Sequence, residues 1–172
     1  VAHNYEENNK KVTVIKSIID TKGESNLESR IGLKRKVDIL LEKGETLEAY
    51  LKQIRKTDCV LVYEAQFLEE QQVEELWYIS KKLDIPVICY GLRTDFQSNL
   101  FEGSKRLLEL ADELEELVTI CSCGKRAKFN SRYVNGKFTL TGTSVLIDGS
   151  DEKVEYKPMC GKCYLENKMK VL

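Results

Sequence analysis

The chain has 172 residues, with 27 Lys and Arg against 28 Asp and Glu, a formal net charge of −1 and 42% hydrophobic residues. That length suits one domain of ordinary size with a small appendage. The balanced charge argues against general binding to nucleic acid or an anionic membrane, no run approaches the ~18 apolar residues of a membrane span, and no charged start leads into an apolar signal core, so the reading is a soluble, intracellular protein.

Residues 1–10 are polar with scattered apolar positions and read as the end of a helix. Lys11 to Lys16 is a strand, and Asp20 lies just past its end. Lys22 to Lys36 is polar, basic and glycine-containing, the composition of a mobile loop. Val37 to Leu41 is a short strand. Thr46 to Arg55 carries Leu47, Tyr50, Leu51 and Ile54 at helical spacing, with Thr46 as its cap. Cys59 to Val62 is a short, fully buried strand, followed by Tyr63-Glu64-Ala65-Gln66-Phe67. Glu69 to Leu83 is a helix with Val73, Leu76, Trp77 and Ile79 on one face. Pro86 to Tyr90 repeats the buried-strand pattern and runs into Gly91-Leu92-Arg93-Thr94-Asp95-Phe96. Phe101 to Leu117 is a further helix, rich in Leu and acid.

Strand, helix, strand is the crossover unit of a parallel sheet. Ligands in such sheets bind at the carboxyl ends of the strands. Glu64 and the loop after Gly91 therefore occupy the positions where chemistry is done.

Helical patterning stops near Val118, and cysteine, glycine and short β runs take over. We expect an α/β domain over residues 1–118 and a small β domain over residues 119–172. Cys59 and Cys89 lie inside apolar strands and read as small buried hydrophobes. The other cysteines form two pairs, Cys121-Ser122-Cys123 and Cys160-Gly161-Lys162-Cys163, flanking a hairpin-like stretch from Phe129 to Ile147. Two cysteine turns joined by β structure make a tetrahedral thiolate site for zinc, structural because all four positions are filled by protein. Disulfides and four free thiols are the competing readings, the former disfavoured in a reducing cytosol.

CVLVYEAQFL, residues 59–68, resembles the strand and catalytic loop of the cellular type of thymidine kinase, written DE(A/G/C)QF. PVICYGLRTDF, residues 86–96, resembles that family's next strand and substrate loop, and the cysteine pairs resemble its zinc ribbon. Ser29-Arg30-Ile31-Gly32 and Ile147-Asp148-Gly149 fall in family-like places. The match is collinear over essentially the whole chain, and it most closely resembles the bacterial members. The resemblance implies a parallel-sheet, P-loop NTPase-like (RecA-like) domain with a zinc-ribbon lasso domain. It implies ATP- and Mg²⁺-dependent phosphorylation of the 5′-hydroxyl of thymidine or deoxyuridine, in cytoplasmic deoxynucleotide salvage, by a homotetramer without direct nucleic-acid binding.

The same resemblance assigns roles. Glu64 is the general base for the 5′-hydroxyl proton. Gln66 and Phe67 shape the loop and line the nucleoside site. Leu92, Phe96 and Phe101 line the base. Leu146, Ile147 and Asp148 belong to the lasso whose main chain pairs with the thymine edge, and Tyr156 lies near the sugar. Asp20 approaches the phosphates or their metal. Cys121, Cys123, Cys160 and Cys163 hold the zinc.

The chain also departs from the family. The phosphate loop G-x-x-x-x-G-K-[ST], whose amides and lysine cradle phosphates, is expected immediately before Val1, together with the family's first strand. Tyr63 stands where the family has the Asp that holds magnesium, and a phenol is a poor Mg²⁺ ligand. Cys121 and Cys123 are one residue closer than usual, and Asp148 replaces a glycine. These departures leave open an alternative: a non-catalytic homologue that binds nucleoside and zinc. A third reading is a zinc-ribbon interaction or nucleic-acid module, for which Lys125, Arg126, Lys128, Arg132 and Lys137 supply local basic character.

Overall fold

The computed structural model describes residues 1–18, 26–28, 34–143 and 153–171. They divide into two compact units. The first comprises Val1–Leu92 and Phe101–Asp112; the second comprises Arg93–Leu100 and Glu113–Leu172. No helix among the described residues is long and apolar enough to cross a membrane.

The first unit opens with helix α1 (Ala2–Glu7) and strand β1 (Val12–Ser17). Strands β2 (Asn26–Glu28) and β3 (Lys34–Lys36) pair antiparallel, so part of the stretch read as loop is a ladder. Then come β4 (Ile39–Leu41), a 3-10 turn at Leu47–Tyr50, α2 (Leu51–Ile54), β5 (Cys59–Tyr63), a second 3-10 turn at Ala65–Phe67, α3 (Glu70–Leu83), β6 (Val87–Cys89) and α4 (Glu102–Leu110). The sheet order is β4-β1-β5-β6, all parallel.

Register explains why these strands read as continuous apolar runs. Ile15 pairs with Val62 and Ile39, on the face packed with Val73, Leu76 and Ile79 of α3 and with Leu47 and Ile54. Val14 pairs with Leu61, on the opposite face, where Ala2 and Tyr5 of α1 cover them. A parallel sheet buried on both faces has no polar side to alternate with.

Helix ends follow side-chain chemistry. Glu69 caps α3 in a reciprocal capping box with Gln72. Trp77, expected on the buried face of α3, is 44% exposed. Thr46 stands at the start of the first 3-10 turn without a side-chain cap bond; Glu75 of α3 takes the Leu47 N–H instead, at 2.6 Å. The helix expected to reach Leu117 stops at Leu110, and Ala111 is extended. The reason is electrostatic: Asp112, Glu113, Glu115 and Glu116 would sit at a helix C-terminus, where the backbone dipole is already negative. Leu114 and Leu117 are exposed and supply no burial to offset that cost.

The second unit holds the paired β7 (Thr119–Ile120) and β8 (Arg126–Ala127). Strands β9 (Phe129–Val134), β10 (Lys137–Thr139) and β11 (Val154–Met159) form an antiparallel sheet ordered β10-β9-β11, and α5 (Gly161–Lys168) follows. Asn135 and Gly136 turn β9 into β10 with φ of 51° and 78°. Asn-Gly with both residues at positive φ is the two-residue turn that matches strand twist. The core is small: Cys121, Ala127, Met159, Cys160 and Tyr164, flanked by Phe129, Tyr133, Phe138 and Leu140. Tyr164 stacks on Phe129 at 4.9 Å and donates a 2.6 Å hydrogen bond to the Phe96 carbonyl. Arg132 is fully buried. Its guanidinium lies 3.6 Å above the Phe96 ring and donates to the Thr143 and Thr141 carbonyls.

Candidate active site and metal centre

At the carboxyl edge of the parallel sheet the chain leaves β5 through Tyr63 and enters a tight turn at Glu64. Glu64 adopts a left-handed conformation, φ 53° and ψ 42°. A non-glycine residue held there costs of order 1–3 kcal/mol, and such strain clusters at functional sites. The turn is anchored on the neighbouring strand end: Ala65 N–H donates to the Tyr90 carbonyl at 2.9 Å. The Gln66 amide donates to Glu64 Oε2 and accepts from Leu92 N–H at 3.1 Å. Phe67 and Phe101 meet edge to face, 5.7 Å apart. Ser104 Oγ donates to the Leu92 carbonyl at 2.7 Å, fixing the start of α4 beside the loop.

Two glycines permit this closeness. A Cβ at Gly91 would lie 2.7 Å from Gln66 Oε1 and 3.0 Å from Gln66 N. A Cβ at Gly103 would lie 2.5 Å from the Ala65 carbonyl oxygen and 2.7 Å from that of Leu68. Gly103→Ala is therefore expected to destabilise the fold by about 1–3 kcal/mol and to lower turnover by moving the Glu64 turn. Urea unfolding beside steady-state kinetics checks both effects.

Of the sequence-derived residues, Glu64, Gln66, Phe67, Leu92 and Phe101 come together in the first unit. Gln66 is buried, whereas Leu92 is 45% exposed. Phe96 belongs to the second unit, buried beneath Arg132. Tyr156 stands half exposed on β11, opposite Arg132 in register. Asp20, Leu146, Ile147 and Asp148 lie outside the described residues. Tyr63 is 38% exposed at the end of β5.

One residue that sequence reading passed over is Lys16. It ends the apolar run of β1, fully buried, in register with Tyr63. A lysine at a strand end looked ordinary; its only signal was a charge inside a run otherwise buried on both faces.

The second unit carries the candidate metal site. The sulphurs of Cys121, Cys123, Cys160 and Cys163 all lie within 4.8 Å of one another, and those of Cys123 and Cys160 are 3.6 Å apart. Tetrahedral zinc with Zn–S bonds of about 2.3 Å needs sulphurs about 3.8 Å apart, so this donor set fits. The backbone N–H of Cys123, then that of Cys160, holds the Cys121 thiol down to about 6. The sulphurs of Cys123 and Cys160 push the Cys163 thiol up to about 12. Sulphurs packed this closely cannot all ionise unless a cation takes the place of their protons. The four thiolates can thus hold a metal ion such as zinc.

The first unit is a mixed α/β domain whose parallel four-stranded sheet is consistent with a P-loop-like fold, in one chain with four cysteines that could hold a metal ion. Comparison with known proteins gives the family. The thymidine kinase family model matches residues 1–164. A thymidine kinase of Listeria monocytogenes serovar 1/2a is 45% identical over 167 residues, covering 95% of this chain and 86% of its own length. Thymidine kinases of Haemophilus influenzae and Enterococcus faecalis are each 44% identical, covering 94% and 98% of this chain and 88% and 86% of their own. The chain belongs to the thymidine kinase family.

Proposed function

We propose that this protein transfers the γ-phosphoryl group of ATP to the 5′-hydroxyl of thymidine, with deoxyuridine as a related substrate. The observation that carries the reading is Glu64, an acid on a left-handed backbone turn at the carboxyl end of β5, whose carbonyl receives the N–H of Phe67, the ring that meets Phe101 edge to face. Glu64 accepts the hydroxyl proton as the oxygen attacks phosphorus. Phe67, Phe101 and Leu92 form the apolar wall for the nucleoside. Tyr156 and the lasso residues Leu146, Ile147 and Asp148 are assigned to base and sugar recognition and Asp20 to the phosphates, whereas Phe96, buried beneath Arg132, supports its loop rather than touching the base. ATP enters as its magnesium complex. Tyr63 offers no carboxylate to that ion, so no magnesium ligand is assigned to it.

The four cysteines hold a structural zinc ion that anchors both feet of the lasso. The assembly is a homotetramer acting in the cytoplasm. The test is thymidine phosphorylation by the full-length protein with ATP and Mg²⁺, followed as thymidine monophosphate formed. Saturable, thymidine-dependent turnover in the ordinary kinase range, ~1–100 s⁻¹, is expected. ADP release that ignores thymidine would overturn the assignment.

A further inference from the structure

Glutamine 66 carries more than the family pattern requires of it. It is 2% exposed, so it offers almost no surface to a nucleoside. Its amide is engaged at both ends. The nitrogen donates to Glu64 Oε2 at 2.5 Å, and the oxygen accepts from Leu92 N–H at 3.1 Å. Only one amide orientation satisfies both neighbours, because a backbone N–H demands the oxygen and a carboxylate demands the nitrogen. Gly91 leaves the space into which that oxygen fits. Glu64 sits where the chain turns through a left-handed residue, with little regular backbone to fix its side chain.

We infer that Gln66 is a positioning residue that orients the Glu64 carboxylate and ties it to the main chain at Leu92, rather than a group that contacts the nucleoside. The inference rests on Glu64 being the base of the proposed reaction. By holding one carboxylate oxygen, Gln66 leaves the other to face the hydroxyl. By holding Leu92 N–H as well, it links the geometry of the base to the loop that follows β6. Removing the amide frees the carboxylate to rotate and leaves Leu92 N–H without its acceptor. Misplacement of a reacting group by about an ångström costs about 10²-fold in rate.

The experiment uses Gln66→Met in the full-length protein, near in volume and unable to make either bond. The expected result is a kcat about 10²-fold lower with an unchanged thymidine KM. A cycle with Glu64→Gln separates the two roles. If Gln66 acts through Glu64, Gln66→Met adds no further loss in that background. A full additional loss there, or a raised KM with kcat retained, would overturn the inference. Gly91→Ala is the second variant: it keeps Gln66 but crowds its amide, and the same fall in kcat at constant KM is expected. Hydrogen exchange at Leu92 N–H reads the clamp without activity. Protection should fall in Gln66→Met, and unchanged protection overturns the clamp. Wild-type protein lacking thymidine-dependent turnover would instead remove the kinase reading, leaving the clamp to be judged on exchange alone.

Discussion

Glu64→Gln is expected to lower thymidine kcat by about 10²- to 10⁴-fold, the usual contribution of a positioned general base. The change is nearly isosteric. A glutamine there can still accept from the Gln66 amide, so the turn and its strained backbone should persist. What disappears is the proposed proton acceptor. The proposed apolar wall of Phe67, Phe101 and Leu92 is untouched, so thymidine affinity should be preserved. Steady-state kinetics and calorimetry with thymidine separate the two quantities. Undiminished turnover would show that another group takes the proton. A parallel loss of affinity would show that Glu64 binds the nucleoside.

The second large effect concerns the metal. Among the described residues, the buried apolar cluster around the cysteines is Cys121, Ala127, Met159, Cys160 and Tyr164, and two of these five, Cys121 and Cys160, belong to the four-cysteine group that could hold a metal ion. A core that small cannot offset the chain entropy of ordering its strands. Zinc bound by four thiolates supplies about 10–16 kcal/mol in small zinc-dependent folds. Wild-type protein should therefore carry one zinc ion per chain. Cys163→Ser, or a strong chelator, should release it and leave the second unit unfolded while the first keeps its parallel sheet. Metal analysis combined with limited proteolysis reads this directly, with new cleavage expected within residues 113–171. Metal-free protein still protected over those residues would show that the aromatic stack of Phe129, Tyr164 and Phe138 suffices.

Much of this was legible in the residues, and the reasons differ by element. The buried strands Cys59–Tyr63 and Val87–Cys89 announced themselves because a parallel sheet with both faces covered yields unbroken apolar runs. The cysteine pairs were legible because metal geometry imposes short spacings. Helix α4 was overextended because leucine spacing continues past Leu110, while the opposing acid charge at the helix end acts through a dipole that periodicity does not register. Thr46 failed as a cap because its competitor, Glu75, is distant in sequence. Arg132 read as surface basicity; only the fold reveals an aromatic ring beneath it and carbonyls around it. Gln66 reads in the sequence as a residue that shapes its loop, but its two hydrogen-bond partners, Glu64 Oε2 and Leu92 N–H, become visible only in the fold.

The loop Arg93–Leu100 belongs with the cysteine-bearing unit, although it interrupts the other one in sequence. Its Phe96 lies under Arg132 and its backbone carbonyl receives Tyr164. The C-terminal unit is consequently not a detachable cassette. A peptide beginning at Glu113 would carry every cysteine of the metal centre yet expose a cation built to be stacked, and a graft of the ribbon onto another scaffold would inherit a hole. Insertions or exchanges that respect the cysteine boundaries alone would break the module; its true border runs through the loop after β6, so sequence changes there and in β9 should be constrained jointly.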